Sequence, residues 1–396
     1  MLALTLGQAA TTFSLFDSDR SWRPVCDARP VMDGRHPLHL YHGQLGAKSW
    51  REGNFGSCHD PAFQAGYPKT PVFDAGSRPA ELFLLLGNDR PESYKIGLAL
   101  CCLLVPLAFA GAARHLGLHP GTACLAAALG QLAWWGGPSQ RLLLHGDLDW
   151  LMAGLVLVLH AALLVRYHRD GGLFVWLGLL LTAALGWFCH PILWIGAWFL
   201  FGPFSICVAL RHGAAWHLGL ALAWAGGLLA NLGWLADWVR YCWIQRPLLI
   251  SPSDEVRRSL AEWWTVDVGG SHADRVLAAF LLIGGLLGVI GLIARRKSAA
   301  GLMFGATALI LPLLSAGSSL WRPLADVGAP KLFVVAGFFA AVPCAAALVE
   351  LFRVLNRVTR RRAVGVLLGL LLLAAGAGLL RDDLRVLADR AARPAP

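Results

Sequence analysis

What most limits this chain is a succession of apolar runs, each close to 20 residues, that fills most of the sequence after residue 92. A bilayer core about 30 Å thick is spanned by about 20 apolar residues of helix. Ten segments meet this length: 93–113, 117–136, 148–166, 172–188, 192–210, 215–235, 274–294, 300–316, 331–352 and 363–380. Backbone inside hydrocarbon must satisfy its own hydrogen bonds, so each run is read as a helix. Composition agrees: 57% of the 396 residues are hydrophobic and 15% are charged, against about 45–50% and about 25% in a soluble domain. A soluble globular enzyme, a disordered chain and a small disulfide scaffold are thereby excluded. The expected fold class is an all-α polytopic membrane protein with about ten transmembrane helices.

The connecting loops alternate in charge. One set carries Arg114, then Arg166 and Arg169, Arg211, the Arg295-Arg296-Lys297 run, and finally Arg353, Arg357, Arg360, Arg361 and Arg362. The opposite short loops carry only Arg141, Arg322 and Lys331. The positive-inside rule places the first set in the cytoplasm of a bacterial-type inner membrane. The net charge of +10 is then a matter of orientation, and no nucleic-acid partner is expected. Residues 1–92, the 236–273 loop and the 381–396 tail fall on the outer side, with 93–380 as the membrane domain. An outer 1–92 segment has to follow a crossing. Residues 1–16 are short and lack a basic flank, so they make a poor signal peptide and a poor span. The reading therefore expects a further helix upstream, eleven in all with an inside start.

Polar chemistry is concentrated in 17–92 and 236–273. Leu45, Trp50 and Phe55 suit an amphipathic surface helix. A Gly/Pro-rich stretch follows, from Asp60-Pro61 through Gly66-Tyr67-Pro68 to Pro71, and such a stretch can hold a defined irregular shape. Asp33, Asp60 and Asp74 are the candidate acids. A carboxylate at a membrane interface can act as general base toward an acceptor hydroxyl; the competing reading is a turn-capping Asp. His36, His39 and His42 recur every third residue, with His59 beyond, and suit substrate hydrogen bonding, interfacial packing or a shared metal. Asp17-Ser18-Asp19 matches a short D-x-D pattern able to hold a divalent metal such as Mg or Mn. Asp147, Asp149, His190, Arg240, Arg246, Arg322 and Lys331 are further outer-face polar groups, and arginine forks suit phosphate. Residues 251–267 read as a short amphipathic helix with Trp263 and Trp264 dipping into the interface. Cys26 and Cys58 share the outer segment and can pair in an oxidising compartment. Glu350 is read as interfacial.

In this layout the chain resembles bacterial membrane glycosyltransferases of the GT-C fold. The resemblance is carried by the Asp33-Gly34-Arg35-His36 entry, the amphipathic helix after it, and the Asp60-Pro61 to Gly66-Tyr67-Pro68 stretch. It implies a large first outer loop with short surface helices, and a polyprenyl-phosphate- or polyprenyl-diphosphate-linked sugar as donor. It further implies membrane lipids as partners and an extracytoplasmic acceptor. Asp33 takes the catalytic-base role, Asp60 is second as base or metal ligand, and Asp74 third. His36, His39 and Tyr67 fall to substrate contact, and Arg246 and Arg322 to the donor phosphate. The Asp-Glu pair of protein mannosyltransferase-like members is absent, since Gly34 follows Asp33. The rival readings are a transporter or lipid flippase and a non-catalytic assembly protein. The first requires mid-membrane polar groups, for which the spans offer His160 and Asn231.

Overall fold

A computed structural model describes residues 1–16, 22–56, 58–60, 67–69, 75–241, 264, 271–295, 297–318, 328 and 331–359. The described part is helical apart from one hairpin. Helix α1 spans Leu2–Phe13, α2 His36–Arg51 and α3 Arg78–Leu86. Strands β1 (Cys58–Asp60) and β2 (Tyr67–Lys69) pair antiparallel between α2 and α3. The remaining helices are α4 Glu92–His115, α5 Pro120–Trp135, α6 Gly137–His145, α7 Leu148–Asp170, α8 Leu173–Cys189 and α9 Pro191–Ala209. After them come α10 Ala214–Leu229, α11 Leu232–Tyr241, α12 His272–Ala294, α13 Ser298–Gly317 and α14 Leu332–Thr359.

Among the described residues six helices are long and apolar enough to cross a membrane: α4, α7, α9, α12, α13 and α14. The chain is thus an integral, multi-pass membrane protein. Two of the expected spans are shorter helices, α5 with 16 residues and α8 with 17. The 215–235 segment departs from expectation. It is a helix pair, α10 and α11, bent by 74°. Asn231 sits at the break, its Nδ2 donating to Ala184 O and Gly227 O and its Oδ1 accepting from Trp234 Nε1. The bend is therefore pinned by side-chain bonds that replace helical ones. The 363–380 span lies outside the described residues. So do Asp17, Asp19 and all of the 251–267 helix except Trp264, which packs on Ala278 and Phe333.

The core centres on α7, with its buried Leu151, Ala153, Leu157, Val158, Ala161 and Leu164, and on α14, with Val335, Ala336, Phe338 and Phe339. Burial on several sides explains why these helices are apolar almost all round. Segment 1–16 joins this body. Gln8, 1% exposed, donates to Cys102 O of α4 and accepts from Trp135 Nε1 of α5, while Gln131 donates to Leu4 O. Cys26 and Cys58 are both free thiols, so the pairing allowed by the sequence is not made.

The alternate basic loops meet at one end of the bundle. Lys297 donates to Leu116 O and Gly117 O, Arg166 meets His115, and Arg295 and Arg353 both pair with Glu350. This is the basic end. Helices α2 and α3 and the starts of α4 and α7 form the other, the loop end.

Candidate active site at the loop end

The site begins with two glycine turns that lock against each other. Gly34 has φ +52° and Gly146 has φ +95°, conformations glycine adopts without steric cost. A Cβ on Gly34 would strike the His145 backbone, and one on Gly146 would press on Arg35 and His36. The contact is sealed by Arg35 N–H donating to His145 O at 2.7 Å. Asp33-Gly34-Arg35 and His145-Gly146-Asp147 are thereby held together across more than a hundred residues of sequence.

His36 bolts this junction. Its Nε2 lies 2.8 Å from Leu143 O and its Nδ1 2.7 Å from the Tyr94 hydroxyl. A carbonyl only accepts, so Nε2 carries the proton and Nδ1 accepts from Tyr94. Burial holds the imidazole pKa below its ordinary value, against the pull of the Leu143 carbonyl and of Asp33 and Asp147. The sequence assigns His36 to substrate contact; with both ring nitrogens bonded inside the protein, it is a latch.

Asp147 caps α7. One carboxylate oxygen lies 2.9 Å from Lys331 Nζ and 3.8 Å from Arg35, and the other lies 3.0 Å from His145 Nδ1. Burial pushes its pKa up, but Lys331 and then His145 outweigh that and hold the carboxyl below its usual range. The N-terminus of α7 also favours negative charge there. Two residues on, Asp149 is buried with Oδ2 3.8 Å from His190 Nε2. Gly76 lets the backbone come close: a Cβ there would sit 3.2 Å from Asp149 Oδ2 and 3.5 Å from His39 Cε1. Trp150 forms a wall, donating from Nε1 to Lys331 O at 3.2 Å and meeting His190 edge-on.

The remaining sequence candidates divide. Asp33 is exposed at the rim of the junction. Asp60 is 8% exposed and accepts from the Tyr41 hydroxyl. Its strand position is paired with Tyr67, so the hairpin brings these two candidates opposite each other. His39 is 2% exposed on the buried side of α2. Asp74, Arg246 and Arg322 lie outside the described residues. The α2 face also differs from expectation. The buried stripe is His36, His39, His42, Gly43, Gly46 and Ala47, whereas Phe55 is 53% exposed. Gly43 and Gly46 let α3 approach against Ala80 and Glu81, so small residues, not large apolar ones, define the packed side.

The sequence offers Asp147, Asp149, His190 and Lys331 as outer-face groups able to converge on the same site, but gives none of them a role there. The available signal was Asp147-Leu148-Asp149, a D-x-D at a helix start. Among the described residues no three His, Cys, Asp or Glu side chains are arranged to hold a metal. Both Asp147 oxygens face cations or His145, so this donor set does not fit a divalent ion.

No family model and no curated protein matches the chain. Among solved structures it is similar to the archaeal oligosaccharyltransferase AglB from Archaeoglobus fulgidus, determined in complex with an inhibitory peptide and a dolichol-phosphate. The TM-score is 0.53 at 15% identity, covering 98% of this chain and 55% of the neighbour, so the chain spans about half the neighbour's length. At that identity the likeness speaks for the fold. The chain shares its helical membrane architecture with an oligosaccharyltransferase, as the GT-C resemblance implies.

Proposed function

We propose that this chain is a membrane glycosyltransferase that moves a sugar from a polyprenyl-phosphate-type carrier to an acceptor hydroxyl, with Asp33 as general base. The observation that carries the reading is the interlock of Asp33-Gly34-Arg35 with His145-Gly146-Asp147. It sets an exposed carboxylate beside a buried carboxylate and two cations at one end of a membrane bundle. The likeness in fold to an enzyme solved with a dolichol-phosphate supports it.

The chemistry follows from the groups present. The acceptor oxygen attacks the anomeric carbon as its proton passes to the Asp33 carboxylate. The bond from that carbon to the phosphate oxygen breaks, and the phosphate leaves with the electron pair. Arg35 and Lys331 stand at the junction with side chains 39% and 35% exposed, open enough to meet a phosphate at the rim. Cations aimed at the leaving charge and a held geometry supply the main rate terms. Asp147 orients both cations, and displacement on one face gives inversion. Mid-membrane chemistry, which transport requires, has little support. His160 Nδ1 bonds Thr182, its Nε2 accepts from Trp224, and Asn231 is fully bonded. Both polar interruptions serve packing.

Sugar transfer from labelled polyprenyl-phosphate and polyprenyl-diphosphate sugars, measured in membranes, tests this. Asp33→Asn is expected to cut the rate by about 10²–10⁴, the usual range for a lost general base. Its unfolding temperature should stay at the wild-type value, because Asp33 is exposed. Full activity in Asp33→Asn, or no transfer from any carrier-linked sugar, overturns the reading.

A further inference from the structure

At the basic end, far from the junction, α5, α12 and α14 enclose a cavity of about 110 Å³. By the same measure one water needs about 10–15 Å³, so the space holds several waters or one compact polar group. Arg295, Lys297 and Arg353 line it together with Glu350, three positive charges against one negative. Glu350 pairs with both Arg295 and Arg353. Lys297 directs two N–H groups to Leu116 O and Gly117 O, which leaves it one donor more. Burial, and after it the facing cations, lower the pKa of both Arg295 and Lys297. An anion would relieve that crowding.

A second observation points to a ligand. Thr122 lines the cavity and is 5% exposed. Thr122 lies in the first turn of α5, after the His119 cap, where backbone N–H groups lack helical partners and favour anions. A third observation separates a lipid from a free ion. Gly291 lines the cavity and a Cβ on it would meet nothing within 4 Å. Leu287, about one turn from Gly291 on the same side of α12, is 58% exposed. An exposed apolar side chain beside a basic pocket suits an acyl chain.

We propose that this cavity is a binding site for the phosphate of an anionic phospholipid, with the acyl chains lying along α12. Basic pockets between membrane helices have the chemistry for such headgroups. The site is independent of the proposed transferase reaction.

The test uses the full chain in detergent, titrated in native mass spectrometry with phosphatidylglycerol, phosphatidylcholine and inorganic phosphate. Phosphatidylglycerol is expected to bind most tightly of the three. Arg353→Gln should weaken it by about fivefold, the effect of one basic group beside an anionic headgroup. Thr122→Val, which keeps shape and removes the hydroxyl, should weaken it as well. Glu350→Gln should tighten it, since the cations lose their internal counter-charge. A structural role alone would make Glu350→Gln behave like Arg353→Gln, and that result overturns the site. So does an equal loss in Arg211→Gln, which removes an exposed charge from another loop of the basic set. Equal affinity for phosphatidylcholine, or inorganic phosphate binding as tightly as the lipid, overturns it too.

Discussion

At the loop end, Arg78 and Glu81 form an ion pair at 2.6 Å with both side chains fully buried. At the basic end, Arg353 and Glu350 pair at 2.5 Å with side chains 46% and 35% exposed. The pairing is the same and the consequence differs. A surface pair contributes about 0–1 kcal/mol and tolerates loss. A buried pair is weak evidence of net stability, yet removing one partner leaves a charge with nowhere to go. The loop end is thus built from groups that must all be present, including the His36 latch and the Asp147 cap. The basic end tolerates change in its charges and depends on close helix packing beneath them.

The sharpest break of this comparison is Arg78→Ala. The guanidinium lies between the Trp50 and Trp234 rings, at 5.6 and 4.8 Å, and also donates to Phe55 O at 2.8 Å. Truncation removes the cationic partner of buried Glu81, which keeps the Ser77 hydroxyl at 3.4 Å and lies against Gly46, where no side chain can enter. The expected loss is about 3–5 kcal/mol, read as a lower unfolding temperature in detergent. Arg353→Ala should cost about 0–1 kcal/mol. Equal losses would show that the two ends are held alike.

A smaller effect is expected where the basic half depends on packing. A Cβ on Gly288 of α12 would overlap the Pro343 carbonyl of α14, whereas Gly291 faces open space. Gly288→Ala must push two backbones apart and should cost about 1–3 kcal/mol. Gly291→Ala should be neutral or stabilise by up to about 1 kcal/mol through helix propensity. Opposite signs one turn apart would locate the contact.

The bundle was legible because a spanning helix is a local property: nine of the ten apolar runs fall in described residues, and all nine are helical. The bend at Asn231 was not, because it depends on a hydrogen bond to Ala184 in a neighbouring helix. The packed face of α2 was misread for a related reason. Hydropathy weights Leu45 and Phe55, whereas the face is set by Gly43 and Gly46 accommodating α3. Within the candidate site, Asp33 was proposed as a base from its own Asp33-Gly34 turn. The sequence offered a convergence with Asp147 and Lys331 but not the contact that makes it, the Arg35–His145 hydrogen bond, which joins segments that are remote in sequence and meet through two opposed glycines.

The smallest effect tests whether the latch at the loop end depends on a neutral histidine. Folding lowers the His36 pKa, chiefly through burial, so below about pH 6.5 the unfolded chain binds a proton that the folded chain refuses. Stability from this group is complete above that pH and is lost as the pH falls, by at most about 1.4 kcal/mol per unit. The groups acting on His36 are Asp33 and Asp147, which favour its protonation, and His145, which opposes it. His212 at the basic end is shifted in the same direction, by burial and then by His217, so the comparison needs a variant. His36→Gln keeps one donor and one acceptor and cannot titrate, and the basic-end histidines are common to both proteins. Between about pH 7.5 and 5.5, the unfolding temperature should fall more steeply in the wild type than in His36→Gln. Hydrogen exchange in the first turns of α2 and α4 should rise before exchange around Lys297 does. Identical slopes would mean that the loop end, like the basic end, is indifferent to the charge of its histidines.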